Sequence, residues 1–108
     1  MAVMEAVIEN RVVLAARELS KSARVTAVYI FGSHVTGKAD EWSDIDIGIF
    51  ADGVENWDFE RLTRTTVELQ RKFGDDLEFH FFPSSALENP EPASFAAFVA
   101  KHGAKITH

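Results

Sequence analysis

Two aspartates one residue apart, Asp44 and Asp46, stand at the start of an apolar run that ends at Phe50. Successive side chains of a β-strand point to opposite faces, so the two carboxylates would project from the same face of a strand. Carboxylate oxygens are ligands that Mg²⁺ prefers in proteins. The spacing therefore predicts a site in which Asp44 and Asp46 share a divalent cation.

A Gly-Ser pair, Gly32 and Ser33, directly follows the apolar run over residues 25–31. We expect a turn here at the end of a strand, with free backbone N–H groups and one hydroxyl. Turns of this kind bind phosphate. Together the two halves have the form G-S-(loop)-S-D-x-D, with Ser43 directly before Asp44.

With these motifs the chain resembles the nucleotidyltransferase superfamily built around a DNA polymerase β-like catalytic core, above all the small, single-domain "minimal" nucleotidyltransferases of bacteria and archaea. Each motif alone is common by chance, whereas both in this order, each on a predicted strand, are not. The resemblance covers nearly the whole chain. It implies transfer of a nucleoside monophosphate from a nucleoside triphosphate, with ATP the expected donor, to an acceptor hydroxyl, assisted by two Mg²⁺ ions.

The resemblance also implies a third carboxylate, on a later strand beside the Asp-x-Asp strand. Asp44 and Asp46 would bind the metal, and the third acid would help to bind it and orient or deprotonate the acceptor hydroxyl. Glu78 is the residue expected in this role, because strand alternation places it on the polar face of the segment over residues 77–82. Asp76 lies on the same face and is the alternative.

The nucleotide contacts implied by the resemblance involve the turn and the loop after it. Gly32 and Ser33 would hold the β- and γ-phosphates. Lys38 lies in the glycine-containing loop, where its side chain either contacts the triphosphate or is merely solvated. Ser43 is expected to support the site, because its hydroxyl can fix the turn that aims Asp44.

Each assignment has a structural alternative. Asp44 could cap a turn, Asp46 could be a solvated edge residue, and Gly32 and Ser33 could form an ordinary strand-to-loop turn. Acids are depleted in strands, and two on one face repel each other without a cation, which favours the metal site. His80 shares the face of the third acid and either orients that acid or the acceptor, or has a structural role.

The composition predicts one soluble globular domain. The chain has 108 residues, of which 46% are apolar and 26% charged, enough for a single core. It has no cysteine, which excludes disulfides, thiolate zinc sites and a cysteine nucleophile. The first residues lack the basic region of a secretion signal, and no apolar run approaches the roughly 20 residues of a membrane span. We therefore expect a cytoplasmic protein.

The net charge of the chain indicates whether its substrate is a long nucleic acid. A formal charge of −6 argues against binding along a long nucleic acid, because such surfaces need clustered Lys and Arg. The basic residues between positions 61 and 72 alternate with acids on a predicted helix, which is typical of a solvated face. We expect long nucleic acid not to be a partner.

Alternating helical and strand patterns predict an α/β (α+β) fold, a small mixed sheet flanked by helices. In the first half of the chain we predict a helix over residues 2–21 that includes Met4, a strand over 25–31, a short helix from Ser33, a strand over 43–50 and a turn over 51–55. In the second half we predict a helix over 59–73 with a left-handed cap at Gly74, a strand over 76–82 and a loop over 84–94 with one helical turn. A helix from Phe95 to Gly103 and an edge strand over 104–107 complete the chain. Phe79, Phe81, Phe95 and Phe98 are predicted to lie in the core.

The resemblance also suggests partners. Larger members of the superfamily carry an extra helical domain that binds the acceptor, and none is expected here. Relatives of this size are often encoded beside a small helical HEPN-type protein, in some cases as the antitoxin that modifies a toxin's tyrosine.

Two other classes of function stay open, a regulatory nucleotide-binding subunit and an interaction module whose acids only bind a cation. The apolar face over residues 95–99, or the first helix, could form a homodimer contact.

Overall fold

The structure is a computed structural model and describes residues 6–40 and 43–108. In chain order the elements are α1 (Ala6–Leu19), β1 (Arg24–Phe31), α2 (Ser33–Thr36), β2 (Ile45–Asp52), a 3₁₀ helix (Val54–Asn56), α3 (Phe59–Phe73), β3 (Leu77–Pro83), α4 (Ser85–Glu88), α5 (Phe95–His102) and β4 (Ala104–Ile106). The strands form one sheet in the order β3-β2-β1-β4. β2 pairs parallel with β3, and the other pairs are antiparallel, which confirms the predicted mixed sheet flanked by helices.

Apolar side chains pack on both faces of the sheet. On one face, residues such as Ile47 and Ile49 pack with Val12 of α1 and Leu69 of α3. On the opposite face, aromatic residues of the strands pack with Val99 of α5. Burial on both faces explains why residues 27–31 of β1 and 47–51 of β2 are nearly continuous apolar runs rather than alternating ones. Among the described helices, none has the length and apolar character needed to cross a membrane.

Several bounds differ from the sequence prediction. α1 ends at Leu19, two residues before the predicted end, while the predicted start and Met4 lie outside the described residues. β2 begins at Ile45 instead of residue 43 and continues to Asp52, because its pairing with β1 extends to the Arg24–Asp52 pair. The predicted turn over 51–55 is correspondingly shorter.

The end of α3 also differs from its prediction. Gly74 has φ 129° and ψ 137°, which is not the left-handed helical conformation that was expected. A Cβ at this position would collide with the guanidinium group of Arg11. Glycine is therefore suited to this site both by its positive φ and by the close packing of α1.

The prediction that all four phenylalanines lie in the core is wrong for two of them. Phe79 is buried and Phe81 is half-buried, but Phe95 and Phe98 of α5 are 50% and 51% exposed. The helix packs on the sheet through Ala96 and Val99 instead. Because α5 is short and covers the sheet with one narrow face, the positions beside that face stay partly open.

Candidate active site

The register of the sheet places two predicted acids side by side. In the parallel pair of β2 and β3, Asp46 lies opposite Glu78, and Gly48 lies opposite His80. On its other side Asp46 pairs with Phe31, the last residue of β1. One end of the sheet, called its edge below, therefore brings together the start of β2, the start of β3 and the Gly-Ser turn after β1.

Three possible metal ligands come together at this edge. One carboxylate oxygen each from Asp46 and Glu78 and a ring nitrogen of His80 lie within 4.8 Å of one another. His80 Nε2 is 3.5 Å from Asp46 Oδ1 and 3.7 Å from Glu78 Oε1. Among the described residues this nitrogen has no hydrogen-bond partner although it is buried. Burying a polar atom without a partner is costly, and a cation between these ligands would satisfy it, so the residues fit a divalent metal.

Asp44 does not belong to this group. β2 begins at Ile45, so Asp44 lies one residue ahead of the strand, and it is exposed. Regular strand pairing, on which the predicted alignment of Asp44 with Asp46 depended, therefore begins one residue after Asp44. In the described part of the chain, the ligand atoms within 4.8 Å of one another come from Asp46, Glu78 and His80. Two of the three predicted acids converge, and the third lies at the end of the preceding loop.

The Gly-Ser turn lies directly against Asp46. Gly32 has φ 81° and ψ −150° and precedes α2, which starts at Ser33. A Cβ at Gly32 would lie 2.5 Å from Oδ2 of Asp46, closer than real contacts allow. The first N–H groups of any helix lack partners within the helix, so α2 begins with donors beside this carboxylate.

The loop between α2 and β2 is held by its own polar groups. The hydroxyl of Ser43 accepts the backbone N–H of Asp40 at 3.1 Å and donates to Asp40 Oδ1 at 3.2 Å. His34 Nε2 lies 3.2 Å from the Ser43 carbonyl oxygen. The Ser43 hydroxyl is thus used inside the loop, next to Asp44, in the manner expected of a turn-fixing residue. The side chain of Lys38 is exposed in the same loop.

Asp76, the alternative third acid, is engaged elsewhere. Its carboxylate pairs with both terminal nitrogens of Arg11 in α1, one of them at 3.2 Å, and Arg11 Nε donates to the Phe73 carbonyl oxygen at 2.9 Å. The hydrogen bond from Arg11 holds the pKa of Asp76 below its ordinary value, against the opposing effect of burial. Asp76 therefore ties α1 to the turn before β3, whereas the carboxylate of Glu78 lies near that of Asp46.

This ion pair predicts a pH-dependent contribution to stability. We expect Asp76→Asn to lower the free energy of unfolding by about 1 kcal/mol at pH 7, a small value because the pair is partly exposed. A carboxyl group whose pKa is lowered by folding stabilises the protein above its unfolded pKa, and this contribution disappears as the pH falls through the folded pKa. Urea unfolding of the two proteins should therefore give a difference at pH 7 that shrinks as the pH falls and vanishes once it is below the lowered pKa of Asp76. A difference that is constant over this range would contradict the assignment.

A family model described as "Polymerase beta, Nucleotidyltransferase" matches residues 15–106. The chain belongs to the polymerase β nucleotidyltransferase family. Its fold is similar to that of a protein from Sulfolobus solfataricus whose crystal structure is described as a "putative nucleotidyltransferase", with a TM-score of 0.50 and 21% identity over 82% of this chain and 83% of that chain. At this identity the likeness shows the fold alone. A search of curated proteins gives no significant match.

His80 is one of the residues of this nucleotidyltransferase whose role the sequence left open. Glu78 and His80 are two residues apart on a strand, so the sequence did place them on one face. It could not show that β3 lies beside β2 in parallel register, which brings His80 to Asp46. The imidazole ring packs against Phe31 and Phe95, and its centroid lies 5.3 and 5.4 Å from the centroids of their rings.

Proposed function

We propose that the protein transfers a nucleoside monophosphate from ATP to a hydroxyl group of an acceptor. General nucleotidyl transfer follows from the family. The observation that supports the proposal for this site is the convergence of Asp46, Glu78 and Gly32 at one edge of the sheet. Transfer at the α-phosphorus requires a bound polyphosphate, an aligned attacking oxygen and stabilisation of the departing pyrophosphate. Acids beside a phosphate-binding turn meet these requirements.

The acids would hold Mg²⁺. Asp46 and Glu78 would supply oxygens from neighbouring strands, and Asp44 would add its carboxylate from the end of the loop. We expect two ions when the nucleotide is bound, since its phosphates contribute further oxygen ligands. Bound there, Mg²⁺ would neutralise charge on the polyphosphate.

The turn and the following loop would bind the nucleotide's phosphates. Backbone N–H groups at the start of α2 and the hydroxyl of Ser33 would contact the β- and γ-phosphates, with Gly32 allowing their close approach. Lys38, exposed in the same loop, would add a positive charge. Ser43 would act indirectly, by holding the loop that carries Asp44.

Glu78 would orient or deprotonate the acceptor hydroxyl. Its side chain is 52% exposed, more than that of Asp46 at 28%, so it can contact an incoming acceptor. We expect Glu78→Gln to lower turnover by about a hundredfold while nucleotide affinity changes far less. Pyrophosphate release and calorimetric titration of ATP measure the two effects. Glu55→Gln, the same charge change at an exposed position of the 3₁₀ helix, is the control. Equal losses of binding and turnover would assign Glu78 to nucleotide binding alone.

The acceptor would be delivered by a partner protein. Transfer of AMP to a HEPN-type helical protein, in an antitoxin-like reaction, is the form of the proposal that the sequence resemblance favours. The half-exposed Phe95 and Phe98 would lie at the contact with such a partner or with a second copy of the chain. A net charge of −6 disfavours long nucleic acid as the acceptor.

A nucleotide-binding regulatory subunit without turnover of its own is the second candidate. It is favoured by one observation, the position of Asp44 outside the group formed by Asp46, Glu78 and His80. A site with two close acids could bind a nucleotide with its cation and still lack the arrangement needed for transfer.

Two measurements together separate these functions. Calorimetric titration of ATP with and without Mg²⁺ tests the site, and pyrophosphate release on addition of the HEPN-type protein tests transfer. Mg²⁺-dependent binding with release supports the transferase. Mg²⁺-dependent binding without release, with or without the helical protein, identifies the regulatory subunit. Binding that does not depend on Mg²⁺ overturns both.

A further inference from the structure

Nε2 of His80 lies beside two carboxylates, and a nitrogen in this position affects which cation the site selects. We propose that His80 is a metal ligand and that the site therefore binds Mn²⁺ in preference to Mg²⁺. This inference rests on the proposed function, since it concerns the same site. Mg²⁺ is bound almost entirely through oxygen, whereas first-row transition ions accept imidazole nitrogen as well. Mn²⁺ combines that property with affinity for carboxylates and phosphates.

The distances fit shared coordination. Around a cation bound at about 2.1 Å, neighbouring ligand atoms lie roughly 3.0 to 3.4 Å apart. His80 Nε2 is 3.5 Å from Asp46 Oδ1 and 3.7 Å from Glu78 Oε1. Small rotations of the two carboxylates would close the few tenths of an ångström by which these two distances exceed that range, and would also adjust the carboxylate-to-carboxylate distance, which lies within 4.8 Å. At their present lengths these contacts lie beyond the usual range of a hydrogen bond, so hydrogen bonding to the acids does not account for the position of the ring.

The ring is also oriented as a ligand would be. Nε2 is buried and, within the described residues, without a hydrogen-bond partner. Phe31 and Phe95 pack against the ring and restrict its rotation, so that the nitrogen stays directed at the acid pair. A ligand that is already fixed by packing loses little conformational entropy when a cation binds.

The test compares Mn²⁺ with Mg²⁺ in the wild type and in His80→Phe. Phenylalanine keeps an aromatic ring between Phe31 and Phe95, slightly larger than imidazole, and removes both nitrogens. Electron paramagnetic resonance of free Mn²⁺ gives the Mn²⁺ affinity, and displacement by Mg²⁺ gives the affinity for the second ion. We expect the wild type to prefer Mn²⁺ by at least about tenfold and the variant to lose about 10- to 100-fold in Mn²⁺ affinity, with little change for Mg²⁺.

A spectroscopic readout tests the bond itself. Nitrogen hyperfine coupling to bound Mn²⁺ should be present in the wild type and absent in His80→Phe. His80→Gln, which keeps a polar side chain, repeats the test if the phenylalanine variant does not fold. Glu78→Gln is the comparison variant, which should weaken the binding of both ions.

The outcomes distinguish this inference from the function on which it rests. Unchanged Mn²⁺ affinity in His80→Phe, an equal loss for both ions, or a gain in affinity would overturn the role of His80 and leave the transferase intact. A gain would show that the imidazole competes with the cation. Failure of the wild type to bind either ion, with or without ATP, would overturn the proposed function itself.

Discussion

Asp46→Asn is expected to abolish metal-dependent nucleotide binding and to lower pyrophosphate release by about a thousandfold. Asp46 lies between the other parts of the site, opposite Glu78 in the ladder, 3.5 Å from His80 Nε2 and against Gly32. Asparagine keeps the size of the side chain and removes the charge that would bind the cation. Calorimetric titration of ATP with Mg²⁺ and a pyrophosphate assay measure the two losses.

A matched control for Asp46→Asn is present on the same strand. Asp52→Asn makes the same change at the far end of β2, where the carboxylate lies 3.8 Å from Arg24, and it should leave nucleotide binding unchanged. Asp44→Asn should have a smaller effect than Asp46→Asn, because Asp44 is exposed and outside the group of close ligands. Wild-type ATP and Mg²⁺ binding by the Asp44→Asn, Asp46→Asn double variant would refute the metal assignment.

The stability of Asp46→Asn separates a functional from a structural role. Two neighbouring carboxylates repel each other when no cation is bound, so removing one charge should not destabilise the fold. Circular dichroism and thermal unfolding without metal should match the wild type or show a slightly higher Tm. A marked loss of stability would mean that the Asp46 carboxylate supports the sheet rather than the chemistry.

Local patterns were sufficient to predict most of the elements. β1 was predicted as a strand because residues 25–31 form a nearly continuous apolar run, and β4 was predicted as an edge strand and is the outermost strand next to β1. The order of strands around β2 is a tertiary property, which the periodicity of a single strand does not contain. The family resemblance supplied one part of that order, the expectation that the strand with the third acid lies beside the Asp-x-Asp strand.

The site was predictable to different degrees for different residues. Asp46 and Glu78 lie inside regular strands, so alternation fixed their faces, and the ladder then made them neighbours. Asp44 lies one residue before β2, where alternation no longer applies, and its position depends on the loop. The role of His80 was left open because alternation gives the face on which its ring lies but not the distance from the ring nitrogen to Asp46, which depends on the register between β2 and β3.

Gly32→Ala is expected to disrupt the site through Asp46 and to destabilise the protein. The backbone at Gly32, with φ 81° and ψ −150°, lies in a region that essentially only glycine adopts, at a cost of about 1–3 kcal/mol for other residues. The added Cβ would lie 2.5 Å from Asp46 Oδ2 and would force the carboxylate away from Glu78 and His80. We expect about a hundredfold loss of Mn²⁺ affinity, measured by electron paramagnetic resonance, and about 2 kcal/mol less stability in urea unfolding.

Gly53→Ala separates backbone strain from the effect on the carboxylate. Gly53 also has a positive φ, 83°, but a Cβ there would meet no atom within 4 Å. This variant should lose about 1 kcal/mol of stability and keep wild-type affinity for Mn²⁺ and ATP, because the strain lies at the far end of β2. Gly32→Ala with unchanged metal affinity would show that the turn and the acid act independently. Loss of affinity only in Gly32→Ala would instead show that the Gly-Ser turn and the Asp46 carboxylate act together, because the missing side chain at Gly32 leaves the space that this carboxylate occupies.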